Sequence, residues 1–130
     1  MQTRPLGWTE LKLTTVGLGT WAMGGGGWQF GWGPQEDRES IQAIRRALDL
    51  GVNWIDTAPA YGLGHAEEIV SQALQGLSAK PLVATKCGRA WNEQRQLSPN
   101  LKKDIIRAEI EASLKRLNVD VIDLYQVHWP

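Results

Sequence analysis

The sequence predicts an α/β fold with a parallel sheet, the first half of a (β/α)8 barrel. Two observations carry this. Short apolar runs that suit strands alternate strictly with longer segments whose apolar residues recur at helical spacing, and that order means parallel pairing through right-handed crossovers. In addition, ionisable side chains stand at the ends of three successive predicted strands, where barrel enzymes carry their chemistry.

The elements follow in order. Residues 6–8 and 11–13 flank Thr9-Glu10 and suggest a small N-terminal hairpin, although the turn lacks the usual Asn-Gly or Asp-Gly pair. Val16-Gly17-Leu18-Gly19 is a short strand, followed by a glycine-rich stretch over 23–33. Asp37 is placed to cap the first helix, with Glu39 in its first turn. Ile41, Ile44, Ala47 and Leu48 share one face of that helix, and Gly51 stops it. Residues 52–56 make the next strand, and 65–77 the second helix, with Ile69, Val70, Ala73 and Leu74 as its apolar stripe. The run 81–86 reads as a strand buried on both faces. A third helix opens at Pro99 or Asn100 and runs to about Leu117, with Leu101, Ile105, Ile106, Ile110 and Leu114 apolar. Residues 121–128 form the fourth strand.

A complete barrel takes roughly 250 residues. Residues 1–130 are therefore expected to be the N-terminal part of a single barrel domain, truncated after the fourth strand. Its open sheet edges would invite self-association. The 42% apolar and 22% charged content suits a globular chain. Lys plus Arg and Asp plus Glu each number 14, so no basic surplus points to nucleic acid or an anionic membrane. The single cysteine, Cys87, permits no internal disulfide and suits a reducing compartment. No signal-peptide pattern or apolar span is present, and the expected location is cytoplasmic.

Asp56, Lys86 and His128 end successive strands, and Tyr61 follows Asp56 in the adjoining loop. These types belong together chemically. A phenol is a weak acid at neutral pH, and a neighbouring ammonium stabilises the phenolate it leaves. The ammonium in turn needs a carboxylate if it is withdrawn from water. Asp56 would hold Lys86, Lys86 would assist Tyr61, and Tyr61 would give a proton to a carbonyl oxygen that His128 also binds. Such general acid catalysis contributes about 10²–10⁴-fold.

Several segments resemble the aldo-keto reductase signatures: Gly17-Leu18-Gly19-Thr20-Trp21; Asn53 to Gly62, containing Asp56 and Tyr61; Glu67-Glu68-Ile69-Val70; Ala84-Thr85-Lys86; and Leu124-Tyr125-Gln126-Val127-His128-Trp129-Pro130. The resemblance runs from Arg4 onward and is nearer the bacterial, sugar- or inositol-associated branches than the vertebrate aldose reductases. It implies a barrel, hydride transfer to an aldehyde or ketone, NADPH/NADP+ as cofactor, and Asp56, Tyr61, Lys86 and His128 as the catalytic tetrad. Gly19, Thr20, Trp21 and Asp56 are then expected at the nicotinamide end, with Trp21 in the pocket wall. From their loop positions at the same rim, Trp28, Trp91 and Trp129 are candidates to line the site of a small-molecule carbonyl substrate, and Trp91 could equally stay outside it. The chain departs from the family in carrying Thr9-Glu10 where a glycine is usual. In the family the groups that grip the rest of the dinucleotide come from later strands, so the 130 residues alone are expected to be inactive.

Several of these residues also admit simpler readings. Gly17-Leu18-Gly19-Thr20-Trp21-Ala22 fits a dinucleotide fingerprint, but four glycines follow where that fold begins a helix. Trp28 and Trp32 could line the substrate mouth or only pack the loop. His65, at a helix start, reads as a cap or surface residue, and no metal centre is expected from two separated histidines. Cys87 alternates to the face opposite Lys86 and reads as packing. Two other functions fit the same residues: a Schiff-base lyase using Lys86, or a non-catalytic regulatory subunit of the same fold.

Overall fold

The computed structural model of the chain describes residues 1–129. The N-terminal hairpin pairs β1 (Thr3–Pro5) with β2 (Lys12–Thr14) in antiparallel register. Its strands sit further from the turn than expected. Leu6 N–H donates to the Leu11 carbonyl and the Thr9 hydroxyl to the Leu6 carbonyl, so 6–11 form the loop itself. Trp8 at its tip is almost wholly exposed.

The main sheet has four parallel strands in the order β3 (Leu18–Gly19), β4 (Trp54–Asp56), β5 (Leu82–Cys87) and β8 (Leu124–Val127). A 3-10 turn (Trp21–Gly24) and α1 (Asp37–Asp49) lead from β3 to β4. Helix α2 (His65–Leu74) leads from β4 to β5, and α3 (Lys103–Leu117) from β5 to β8. This is the alternating half barrel that the sequence predicts.

Four local details correct the sequence reading. Asp37 does not cap α1; Glu36 holds the cap position without a side-chain bond, and the Asp37 carboxylate instead accepts from His65 Nε2 at 2.8 Å. That contact ties the starts of α1 and α2 together. Helix α2 ends at Leu74 rather than Leu77, because Gly76 turns the chain with φ 76° while Arg45 of α1 donates to the Ala73 and Gln75 carbonyls at 3.1 and 3.2 Å. Residues 97–99 are not the approach to a helix. They form β7 (Leu97–Pro99), paired antiparallel with β6 (Arg89–Trp91), and α3 starts only at Lys103. The fourth strand is ordered into the ladder only over Leu124–Val127, shorter than 121–128.

Strand alternation divides the residues between two faces. Ile55 and Val83 join Ile44, Ile69, Val70, Ala73, Leu74 and Leu117 in a core between sheet and helices. Fully burying one such aliphatic side chain is worth about 1.5–3 kcal/mol. Asp56, Lys86 and Gln126 alternate to the opposite face, and the register sets Lys86 beside Gln126. One close approach locks the glycine-rich loop onto this rim: a Cβ on Gly62, whose φ is +65°, would stand 2.2 Å from the Gly24 carbonyl oxygen. Among the described residues no helix is long and apolar enough to cross a membrane.

Candidate active site

The four candidate catalytic residues meet on one rim. Lys86 Nζ donates to both Asp56 carboxylate oxygens at 2.9 Å, to the Thr57 carbonyl at 2.9 Å and to Tyr61 Oη at 3.1 Å. Strand β4 supplies Asp56 and the adjoining backbone supplies the Thr57 carbonyl. Strand β5 supplies Lys86. Tyr61 comes from the buried loop after β4, where it packs with Ala58, Ala66 and Trp28. Asp56 also accepts from Gln126 Nε2 at 3.3 Å.

His128 follows β8, its ring edge-on to Tyr61 with centroids 5.6 Å apart. Burial holds its imidazole well below the ordinary 6.5, at about 4; the Lys86 and Arg89 charges push the same way and Asp56 opposes them. His128 is therefore neutral near pH 7, and its buried Nδ1 has no hydrogen-bond partner among the described residues.

Beside Tyr61 and His128 lies a pocket whose other walls are Trp21, Trp28, Phe30, Ala60, Arg89, Leu97 and Trp129. Trp21 stacks on Tyr61 at 5.7 Å with planes 17° apart, and Trp21 Nε1 donates to the Phe30 carbonyl at 2.8 Å. Trp28 both lines the pocket and packs its own loop, through Nε1 to the Gly25 carbonyl at 2.9 Å. Trp32 packs against Trp21 with centroids 6.3 Å apart and planes tilted by 30°, and it is mostly exposed, so it belongs to the loop. Trp91 corrects the sequence reading. The β6–β7 hairpin carries it away from the pocket, to a groove where Arg116 of α3 lies 5.8 Å over its ring.

Of the residues expected at the nicotinamide end, Gly19 ends β3 with open space beyond its Cα, and the Asp56 side chain is 30% exposed. Thr20 is different. It is fully buried, with its hydroxyl given to the Asp56 carbonyl at 3.2 Å, so its side chain serves to join β3 to β4. The open Gly19 edge beside Asp56 and Trp21 fits the flat end of a dinucleotide.

The aldo/keto reductase family model matches residues 15–130. The chain belongs to the aldo/keto reductase family. It is 44% identical over 140 aligned residues to the NADH-specific methylglyoxal reductase of Escherichia coli, covering 99% of this chain and 42% of that protein. The glycerol dehydrogenase AKR11B4 of Gluconobacter oxydans superposes with a TM-score of 0.82 and 44% identity, over 98% of this chain and 39% of the other. An aldo-keto reductase from Klebsiella pneumoniae solved in complex with NADPH gives 0.68 and 31%, over 91% and 36%. The chain thus spans about two fifths of the length of these aldo-keto reductases.

Sequence reasoning missed Phe30, Arg89 and Leu97 in the pocket wall, the Thr57 carbonyl on Lys86, and Gln126 on Asp56. Gln126 was legible, since it stands two residues before His128 and so on the same strand face. The Thr57 carbonyl carries no side-chain signal. Behind the sheet, Glu67 is fully buried between two donors, Thr85 Oγ1 at 2.7 Å and Arg116 Nε at 2.6 Å. Cys87 is buried on the face away from Lys86, and burial followed by the Glu109 charge pushes its thiol up.

Proposed function

We propose that the protein carrying this chain reduces a small aldehyde or ketone to its alcohol with NADPH, Tyr61 acting as general acid. The observation that carries this reading is the hydrogen inventory of Lys86. An ammonium has three hydrogens. Here three groups take them: the Asp56 carboxylate, the Thr57 carbonyl and Tyr61 Oη. Tyr61 Oη is thus an acceptor towards Lys86, and its own proton is left for the pocket it lines.

When bound, a reduced nicotinamide supplies the hydrogen and electron pair that convert the carbonyl carbon to a carbinol carbon. Tyr61 gives its phenolic proton to the carbonyl oxygen, and the O–H bond of the alcohol forms. Lys86 stabilises the phenolate that remains, while Asp56 balances Lys86. Neutral His128 can donate an N–H to the same carbonyl oxygen and so help to polarise and place it. The aromatic walls exclude water and orient the substrate. Gly19, Trp21 and Asp56 would hold the nicotinamide end. The relative solved with NADPH supports a nicotinamide cofactor, and the choice of NADPH over NADH follows the family resemblance.

The same inventory weighs against a Schiff-base lyase. A nucleophilic lysine needs a free amine lone pair, whereas Lys86 is an ammonium bonded on every hydrogen. We further propose that residues 1–130 are the N-terminal part of a single barrel domain, in keeping with their coverage of about two fifths of the relatives. The test of the mechanism is Tyr61→Phe in the protein. Carbonyl reduction should fall by about 10²–10⁴-fold with the affinity for NADPH unchanged. Wild-type turnover in that variant would sink the role given to Tyr61.

A further inference from the structure

We propose that Arg89 is a specificity residue that selects carbonyl substrates bearing an anionic group, a carboxylate or a phosphate. This rests on the reductase reading above and names the substrate class for it.

The backbone delivers Arg89 to the pocket by a sharp bend. Gly88, at φ +87°, ends β5, and a Cβ there would stand 2.5 Å from Leu101 Cδ2. Its N–H is held by Glu109 Oε2 at 2.9 Å. The chain therefore leaves the sheet at a glycine packed against its neighbours, and the next side chain turns into the pocket wall. There the Arg89 guanidinium lies over the Trp129 ring, 3.8 Å from its centroid. Trp129 in turn packs against His128 with centroids 6.0 Å apart. The cation thus sits about one ring away from the groups that would hold the carbonyl oxygen.

Charge balance then decides what that cation is for. Lys86 is paired with Asp56 in this site. His128 is neutral near pH 7. Arg89 makes no ion pair and gives no side-chain hydrogen bond among the described residues. It is the one uncompensated charge in the wall of a pocket otherwise lined by aromatic and aliphatic groups. The contact with Trp129 holds the guanidinium in the wall but uses none of its five N–H donors. A fork of this kind matches carboxylate and phosphate oxygens. A neutral substrate would leave it unpaired; an anionic one would complete it.

The test uses the protein with two matched pairs of aldehydes: succinic semialdehyde against butanal, and glyceraldehyde 3-phosphate against glyceraldehyde. Arg89→Met keeps a long unbranched side chain beside Trp129 and removes the charge. It should lower kcat/KM for an anionic aldehyde roughly tenfold to a hundredfold, through KM, and leave the neutral pair within about twofold. Arg89→Lys should restore part of the loss. A preference for the carboxylate pair alone, or the phosphate pair alone, supports the inference and identifies the anion. Equal losses for charged and neutral aldehydes, or no loss for either anion, would overturn it and leave Arg89 a packing partner of Trp129. A wild type that reduces none of the four fails the reductase reading instead. Calorimetric titration with oxamate then decides: binding lost in Arg89→Met supports the inference, and no binding, or equal binding to both, overturns it.

Discussion

Replacing Glu67 by Gln removes one negative charge from a site with no access to water. Glu67 is 0% exposed, and it joins three elements: α2, on which it lies, Thr85 of β5, and Arg116 of α3. Thr85 immediately precedes Lys86, so this junction fixes the strand that carries the lysine. In Glu67→Gln the amide oxygen can keep the bond from Arg116 and the amide N–H can donate to the Thr85 hydroxyl, but Arg116 loses its counter-charge. A hydrogen bond to a charged group is worth about 1.5–3 kcal/mol, and removing one partner of a buried ion pair costs about 3–5 kcal/mol. The Arg116 side chain is 19% exposed, which lets water recover part of that loss. The expected destabilisation is therefore about 2–4 kcal/mol. The measurement is the urea midpoint at constant slope, monitored by tryptophan fluorescence. Adding Arg116→Met should cost much less than its single-variant effect, because the stranded cation is then gone. A loss below about 1 kcal/mol for Glu67→Gln, or strict additivity in the double variant, would refute this account of the junction.

The remaining predictions concern His128 and the isolated chain. The folded value for His128 lies at about 4 against an ordinary 6.5, so between those values the unfolded chain binds this proton more readily than the folded one. The stability tied to neutral His128 is complete above pH 6.5 and is lost as the pH falls towards about 4. An NMR titration of the His128 ring should give a midpoint near 4, and one at or above 6.5 would contradict the burial and the Lys86 and Arg89 charges that cause the shift. The 130 residues expressed alone should show no NADPH-dependent carbonyl reduction if, as proposed, they supply only the nicotinamide end of the cofactor site. Measured turnover by that purified chain would overturn the expectation.

Much of the site was readable from residue types at strand ends. Asp56, Lys86 and His128 could be placed because alternation and strand polarity are properties of local sequence. The pocket wall was less readable. Trp91 and Trp129 look alike as loop tryptophans, yet the β6–β7 pairing takes the first away and leaves the second beside His128. That hairpin has no short turn motif between 91 and 97, so nothing local announced it. Asp37 looked like a cap, but its partner is His65, 28 residues away. Nothing local to Glu67 announces its burial, which comes from Thr85 of β5 and Arg116 of α3.

The sequence by itself determined the alternation of strands and helices, the parallel sheet, and the set Asp56, Tyr61, Lys86 and His128. Each of these depends on periodicity and on residue chemistry, which are carried by neighbours along the chain. Only the tertiary structure decided where the hydrogens of Lys86 go, which aromatic rings enclose the pocket, and that Arg89 stands in its wall with no counter-charge among the described residues. Those are relations between segments from different strands and loops. They exist only once packing has set distances that spacing along the chain does not encode.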